Sequence, residues 1–166
     1  MKAVFFDLGN TLEGSGVLLP GAMETLRRIA SLRASDGSSV VLGLVSDFLM
    51  AAEPDEIPAL QQQYYAILDQ LGIRSFFEPV EQRVTLSTEV GVNKPDARIF
   101  RAAVDKVQLD GDFGSAMFIT ENQLHVEAAR HLGMQAIHFR GPGQSTGEVG
   151  SLEALIPLVG AFVQET

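Results

Sequence analysis

Four polar residues stand directly after apolar runs: Asp7 after Val4-Phe5-Phe6, Ser46 after Val40 to Val45, and the pair Thr120-Glu121 after Ala116 to Ile119. A fifth, Lys94, opens a Lys94-Pro95-Asp96 segment ahead of another apolar-periodic stretch. Carboxylates, hydroxyls and an amine can attack, bind an anion or hold a cation through oxygen. The chain has no cysteine, which excludes disulfides, thiolate catalysis and Cys-ligated zinc. Taken singly, each residue has an ordinary reading. An Asp after a strand caps a turn, Ser46 caps a helix, and Lys94 and Glu121 sit in water. Joint chemistry requires that the fold bring them to one place.

The elements that must do so alternate along the chain. Val4 to Phe6 reads as a buried strand that delivers Asp7, with a turn at Gly9-Asn10 and a loose Gly/Ser stretch from Glu13 to Gly16. Met23, Leu26, Ile29, Ala30 and Leu32 fall at helical spacing. Val40 to Val45 is a second strand. Ala51 to Pro58 reads as an exposed turn, followed by a helix with Ile57, Leu60, Tyr64, Ile67, Leu68 and Leu71 on one face and Gly72 as its cap. Val84 to Ser87 is a short strand, and a helix runs from Lys94-Pro95-Asp96 to Val107. Ala116 to Ile119 is a strand, Gln123 to Leu132 a helix capped by Gly133, and Gln135 to Phe139 the last strand. Arg140 to Gly150 is a loop. Leu152 to Phe162 is a closing helix that Pro157 is expected to kink or break early. Alternating strands and helices favour a mostly parallel sheet covered on both faces, the doubly wound arrangement. Ligands in such sheets sit beyond the carboxyl ends of the strands, where Asp7, Ser46, Thr120 and Glu121 fall.

Composition narrows the partners. With 166 residues, one domain with its own core is expected. Hydrophobic residues make up 46% and charged residues 20%, as in ordinary globular proteins. A net charge of −9 with no basic run argues against nucleic acid and anionic membranes. No apolar stretch approaches a membrane span or a secretory signal, so a cytoplasmic location is the default expectation.

The Phe5-Phe6-Asp7-Leu8-Gly9-Asn10-Thr11-Leu12 segment resembles the first motif of the haloacid dehalogenase-like (HAD) superfamily. Val45-Ser46 resembles the second motif, and the Ser87 to Asp96 segment with Lys94 the third. Val126 to Arg130 with Leu132-Gly133-Met134 resembles the helix after the fourth, acidic motif. Any one match is weak, but four in order at strand ends are specific. The resemblance implies a Rossmann-like three-layer α/β/α sandwich and a phosphatase in which Asp7 attacks phosphorus and forms an aspartyl-phosphate. It implies Mg²⁺ held by Asp7, the Gly9 carbonyl and Glu121. It further implies phosphate contacts from Ser46, Asp47, Lys94, Asn10 and Thr11, with Lys94 also offsetting charge and holding Asp7.

The chain departs from the family pattern in two places. Family phosphatases usually carry a second Asp two residues after the nucleophile as general acid and base; here it is Gly9. In the fourth motif, Thr120 stands for the first acid, the longer Glu121 for the second, and His125 for a later Asp or Asn. These changes should weaken a Mg²⁺ site, and His125 with Glu121 would suit a softer ion such as Mn²⁺ or Zn²⁺. A helix-start His125 that hydrogen-bonds nearby is the simpler reading, and His131 and His138 read as structural. The segments between Asp7, Ser46 and Lys94 leave no room for a large cap domain. By family resemblance, an open site implies a larger phosphorylated substrate, or a lid lent by a second copy or another protein. Two alternatives remain: an inactive HAD-fold module that binds a phosphorylated ligand or a protein, and a carbon–halogen hydrolase.

Overall fold

The strands of the main sheet are runs of mostly buried apolar residues, which only a sheet covered on both faces can hide. The computed structural model describes residues 1–166. In chain order, the elements begin with β1 (Ala3–Phe6), β2 (Glu13–Gly14), β3 (Val17–Leu18), α1 (Ala22–Ala30), β4 (Val41–Ser46) and α2 (Ile57–Leu71). They continue with α3 (Val80–Arg83), β5 (Val84–Leu86), α4 (Ser87–Val90) and α5 (Ala97–Lys106), then β6 (Ala116–Thr120), α6 (Gln123–His131), β7 (Gln135–His138) and α7 (Leu155–Gln164).

Five strands form one parallel sheet in the order β5-β4-β1-β6-β7. The alternation of side chains along β1 splits the core. Val4 and Phe6 join Leu42 and Leu44 under α1, α2 and α7, while Ala3 and Phe5 join Phe118 under α5 and α6. The result is a three-layer α/β/α sandwich. Gly43 lies opposite Phe5 in the β1–β4 ladder, where a Cβ would stand 2.6 Å from the Phe5 ring. β1 is central: the chain steps outward to β4 and β5, then crosses back to β6 and β7. The carboxyl ends of β1, β4 and β6 therefore flank the point where strand order reverses, the usual ligand position in such sheets.

Two expectations need correction. The Glu13 to Gly16 stretch is a hairpin: Glu13 pairs with Leu18 and Gly14 with Val17. Ser15 and Gly16 both adopt positive φ (54° and 81°), the requirement of a two-residue turn that matches strand twist, and the Gly16 N–H donates to Glu13 Oε2. Pro157 neither kinks nor breaks the last helix. That helix begins at Leu155, so Pro157 falls in its first turn, where a missing N–H removes no intrahelical bond. No helix is long and apolar enough to cross a membrane.

Candidate active site

Asp7 leaves the end of β1 in register with β6, its N–H donating to the Ile119 carbonyl at 3.0 Å. The chain then turns tightly, because the Thr11, Leu12 and Glu13 N–H groups all reach the Leu8 carbonyl. The turn puts Asn10 in the left-handed region (φ 57°) and sends Thr11 inward. Thr11 is fully buried, and its hydroxyl accepts the Glu121 N–H at 3.2 Å. The expected phosphate contact from Thr11 is thus corrected: its hydroxyl ties the loop after β1 to the loop after β6. Asn10 and Gly9 line the open chamber.

Lys94 reaches this point from far along the chain. Its Nζ stands 3.0 Å from Asp7 Oδ1 and donates to the Val45 carbonyl at 2.7 Å, beside the Phe118 ring. Its side chain is 1% exposed and that of Asp7 13%. The Lys94 N–H donates to Asp47 Oδ1 at 2.8 Å, so the Asp47 carboxylate fastens the Lys94 segment rather than facing an anion alone. The Asp47 N–H donates to no protein acceptor and remains available to a ligand. Asp7 Oδ1 also accepts the Leu8 N–H at 2.9 Å, and Oδ2 takes only a 3.3 Å contact from the Thr120 hydroxyl. Thr120, which stands for the first acid of the fourth motif, thus turns its hydroxyl toward Asp7.

Ser46 ends β4 and lines the same chamber as Asp7 and Lys94. Its hydroxyl lies 2.5 Å from the Tyr64 hydroxyl, and both residues are buried. Burial pushes the Tyr64 phenol well above its ordinary range, so it stays protonated. Sequence reasoning placed Tyr64 only in an apolar helix face. A tyrosine among Leu and Ile in a core-facing stripe carries a polar tip that must find a partner, which was the missed signal.

Glu121 follows β6, and its carboxyl is held above the usual range, by burial first and by the Asp7 charge second. His138 Nε2 contacts the Glu121 carbonyl at 3.0 Å, so this ring, read as structural without a partner, braces the Glu121 backbone. The loop after β7 presses on the same spot: a Cβ at Gly141 would lie 2.7 Å from the Asn10 carbonyl and 3.1 Å from Glu121 Cβ. His125 begins α6 with its N–H on the Asn122 cap, but its Nδ1 is buried without a partner. The expectation of a ring hydrogen bond is therefore corrected. Burial, and next the Lys94 charge, lower the pKa of His125.

The chamber holds about 550 Å³ and carries the Asp7, Glu13, Asp47 and Glu121 carboxylates against the single ammonium of Lys94. A phosphate dianion entering it would meet net repulsion. No cluster of three or more His, Asp or Glu side chains could hold a metal ion alone. The Asp7 and Glu121 carboxylates nonetheless repel one another, and the Gly9 carbonyl accepts no hydrogen bond. Two carboxylates and a free carbonyl are hard oxygen donors that fit Mg²⁺, an ion that keeps several waters when bound.

No protein-family model matches the chain, and no curated protein sequence matches it. Solved structures do. A haloacid dehalogenase-like hydrolase from Streptococcus pneumoniae is similar with a TM-score of 0.65 at 13% identity, over 95% of this chain and 98% of that one. The core domain of a proposed phosphoglycolate phosphatase from the same species is similar with a TM-score of 0.60 at 21% identity, over 95% and 93%. A proposed HAD hydrolase from Bacillus subtilis, solved with magnesium bound, is similar with a TM-score of 0.64 at 13% identity. This chain covers only 56% of that longer protein. Together with the strand order and the Asp7-bearing edge, these likenesses give the chain the haloacid dehalogenase-like fold.

Proposed function

We propose that the chain is a phosphohydrolase working through an aspartyl-phosphate on Asp7. The observation that carries this reading is the buried Lys94 ammonium held 3.0 Å from Asp7 at the carboxyl edge of the sheet. A structural ion pair gains little from being placed at the mouth of a polar chamber. A nucleophilic carboxylate that must approach a dianion gains a fixed positive charge there.

Asp7 attacks phosphorus, the bond to the leaving oxygen breaks, and water later displaces the carboxylate to release inorganic phosphate. Oδ1 is engaged by Lys94 and Leu8, which leaves Oδ2 the freer oxygen. The Ser46 hydroxyl, fixed by Tyr64, and the free Asp47 N–H would donate to phosphate oxygens. Asp7, the Gly9 carbonyl and Glu121 would hold Mg²⁺, which would stabilise charge on the transferring group. Gly9 supplies no general acid or base, a loss of about 10² to 10⁴ in rate for esters that need one. The chain works as a core domain without a large cap, so a larger phosphorylated substrate, a second copy or another protein would cover the chamber.

The test is release of phosphate from 4-nitrophenyl phosphate with Mg²⁺, Mn²⁺ or Zn²⁺. Turnover lost in Asp7→Asn supports the reading; no turnover with any of the three ions refutes it. A second reading, phospho-ligand binding without turnover, is favoured by the missing side chain at residue 9. It requires calorimetric binding of phosphate that survives Asp7→Asn, with no product formed.

A further inference from the structure

The phosphohydrolase reading leaves open which ester the chamber takes, and two independent features of its walls bear on that. The first is the space beside Gly9. A Cβ built there meets nothing within 4 Å, so no neighbouring side chain occupies the place of the missing acid. Most of the other protonatable groups of the chamber are tied elsewhere. Glu13 accepts the Gly16 N–H that closes the hairpin turn, and Asp47 accepts the Lys94 N–H. Tyr64 is bonded to Ser46. Glu121, which follows β6, would be taken up by the metal ion. His125 alone has an unpartnered ring nitrogen, and it lines the chamber from α6, on the opposite sheet face from α2.

The second feature is the apolar part of the lining. Phe48, Tyr64, Ile67 and Leu71 contribute to it, with Leu8 from the turn after β1, beside the amide of Gln70. Phe48 packs edge-on against the Tyr64 ring at 5.3 Å between centroids. Against these side chains a flat apolar ring would remove apolar surface from water on both itself and the lining, which a sugar or glycerol leaving group would not.

We propose that the chamber selects phosphate monoesters of aromatic, phenol-type alcohols. Asp7 forms its bond to phosphorus as the aryl oxygen departs with its electron pair. The phenolate takes its proton from solvent. Water then adds to phosphorus, the bond to Asp7 breaks with its electron pair returning to the carboxylate, and phosphate leaves. A phenol has a pKa near ~10, and an ordinary alcohol one close to that of water, roughly 15 to 16. The phenolate can therefore depart unprotonated where an alkoxide cannot.

Phenyl phosphate and benzyl phosphate present the same ring with leaving oxygens of these two kinds, and acetyl phosphate presents a better leaving group with no ring. With the wild-type protein and Mg²⁺, phenyl phosphate should turn over on the order of 10²-fold faster than benzyl phosphate. Gly9→Asp, which fills open space at a residue without positive φ, should raise the benzyl-to-phenyl ratio by a similar factor. Leu71→Asn should raise KM for phenyl phosphate more than for acetyl phosphate. Benzyl and phenyl phosphate cleaved at rates within about tenfold by the wild type would overturn the inference and leave the phosphohydrolase standing. No phosphate released even from acetyl phosphate would overturn both.

Discussion

Replacing Lys94 with methionine keeps the length of the side chain and removes its charge, and the structure sets the size of the effect. The ammonium stands 3.0 Å from Asp7 Oδ1 and 2.7 Å from the Val45 carbonyl, with its side chain 1% exposed. At an effective dielectric of ~20 the gross attraction to Asp7 is about 5 to 6 kcal/mol, an upper bound before desolvation. Removing one partner of a buried pair commonly costs about 3 to 5 kcal/mol, because the other charge is left uncompensated. Here the cost belongs at the lower end, about 3 kcal/mol, since Asp7 keeps the Leu8 N–H, the Thr120 hydroxyl and some solvent contact. Urea unfolding should show a lower midpoint with an unchanged slope. Asp7→Asn combined with Lys94→Met removes both charges and should recover about 1.5 kcal/mol or more relative to the sum of the single changes. A single Lys94→Met change within about 0.5 kcal/mol of the wild type, or strict additivity in the cycle, would refute the claim that this is a dry, coupled pair.

Two further outcomes follow from the site. Ser46→Ala leaves the buried Tyr64 hydroxyl without its partner and should cost about 2 kcal/mol. Tyr64→Phe leaves a serine that still faces the chamber and should cost about 1 kcal/mol, and the double variant little more than Tyr64→Phe alone; additive urea midpoints would contradict this. Glu121 has its pKa raised in the folded state, so its contribution favours folding at low pH and is lost as pH rises through the folded value. Glu121→Gln should therefore be more stable than the wild type at pH 7, lose that advantage near pH 4, and show a smaller rise in Tm on adding Mg²⁺; equal stability at both pH values would contradict it.

The sheet was legible because its strands are short apolar runs bounded by polar residues, a pattern that survives without tertiary information. The Asp7 and Ser46 positions were legible for the same reason, each standing at the end of such a run, whereas Lys94, in the loop before α5, stood out only through its resemblance to the third motif. What the sequence concealed depends on contacts between distant segments. Ser15-Gly16 is a weak turn signal, and its positive φ values follow from the pairing of β2 with β3. Thr11 lies one residue beyond a chamber-lining Asn10, yet the Leu8-centred turn points it into the protein and onto the Glu121 N–H. Pro157 reads as a helix breaker only if the helix starts at Leu152; a start three residues later makes it harmless. The brace of His138 on Glu121 and the clasp of Tyr64 on Ser46 join residues with no sequence relationship at all.

The proposed function turns on Asp7 as the nucleophile toward phosphorus, and a crystal soaked with Mg²⁺ and beryllium trifluoride examines that directly. Beryllium should be bonded to an Asp7 carboxylate oxygen, with fluorides against Lys94 Nζ and the Ser46 hydroxyl and the metal ion between Asp7 and Glu121. Beryllium bound at another residue, or an Asp7 carboxylate still bare at saturating fluoride, would contradict it.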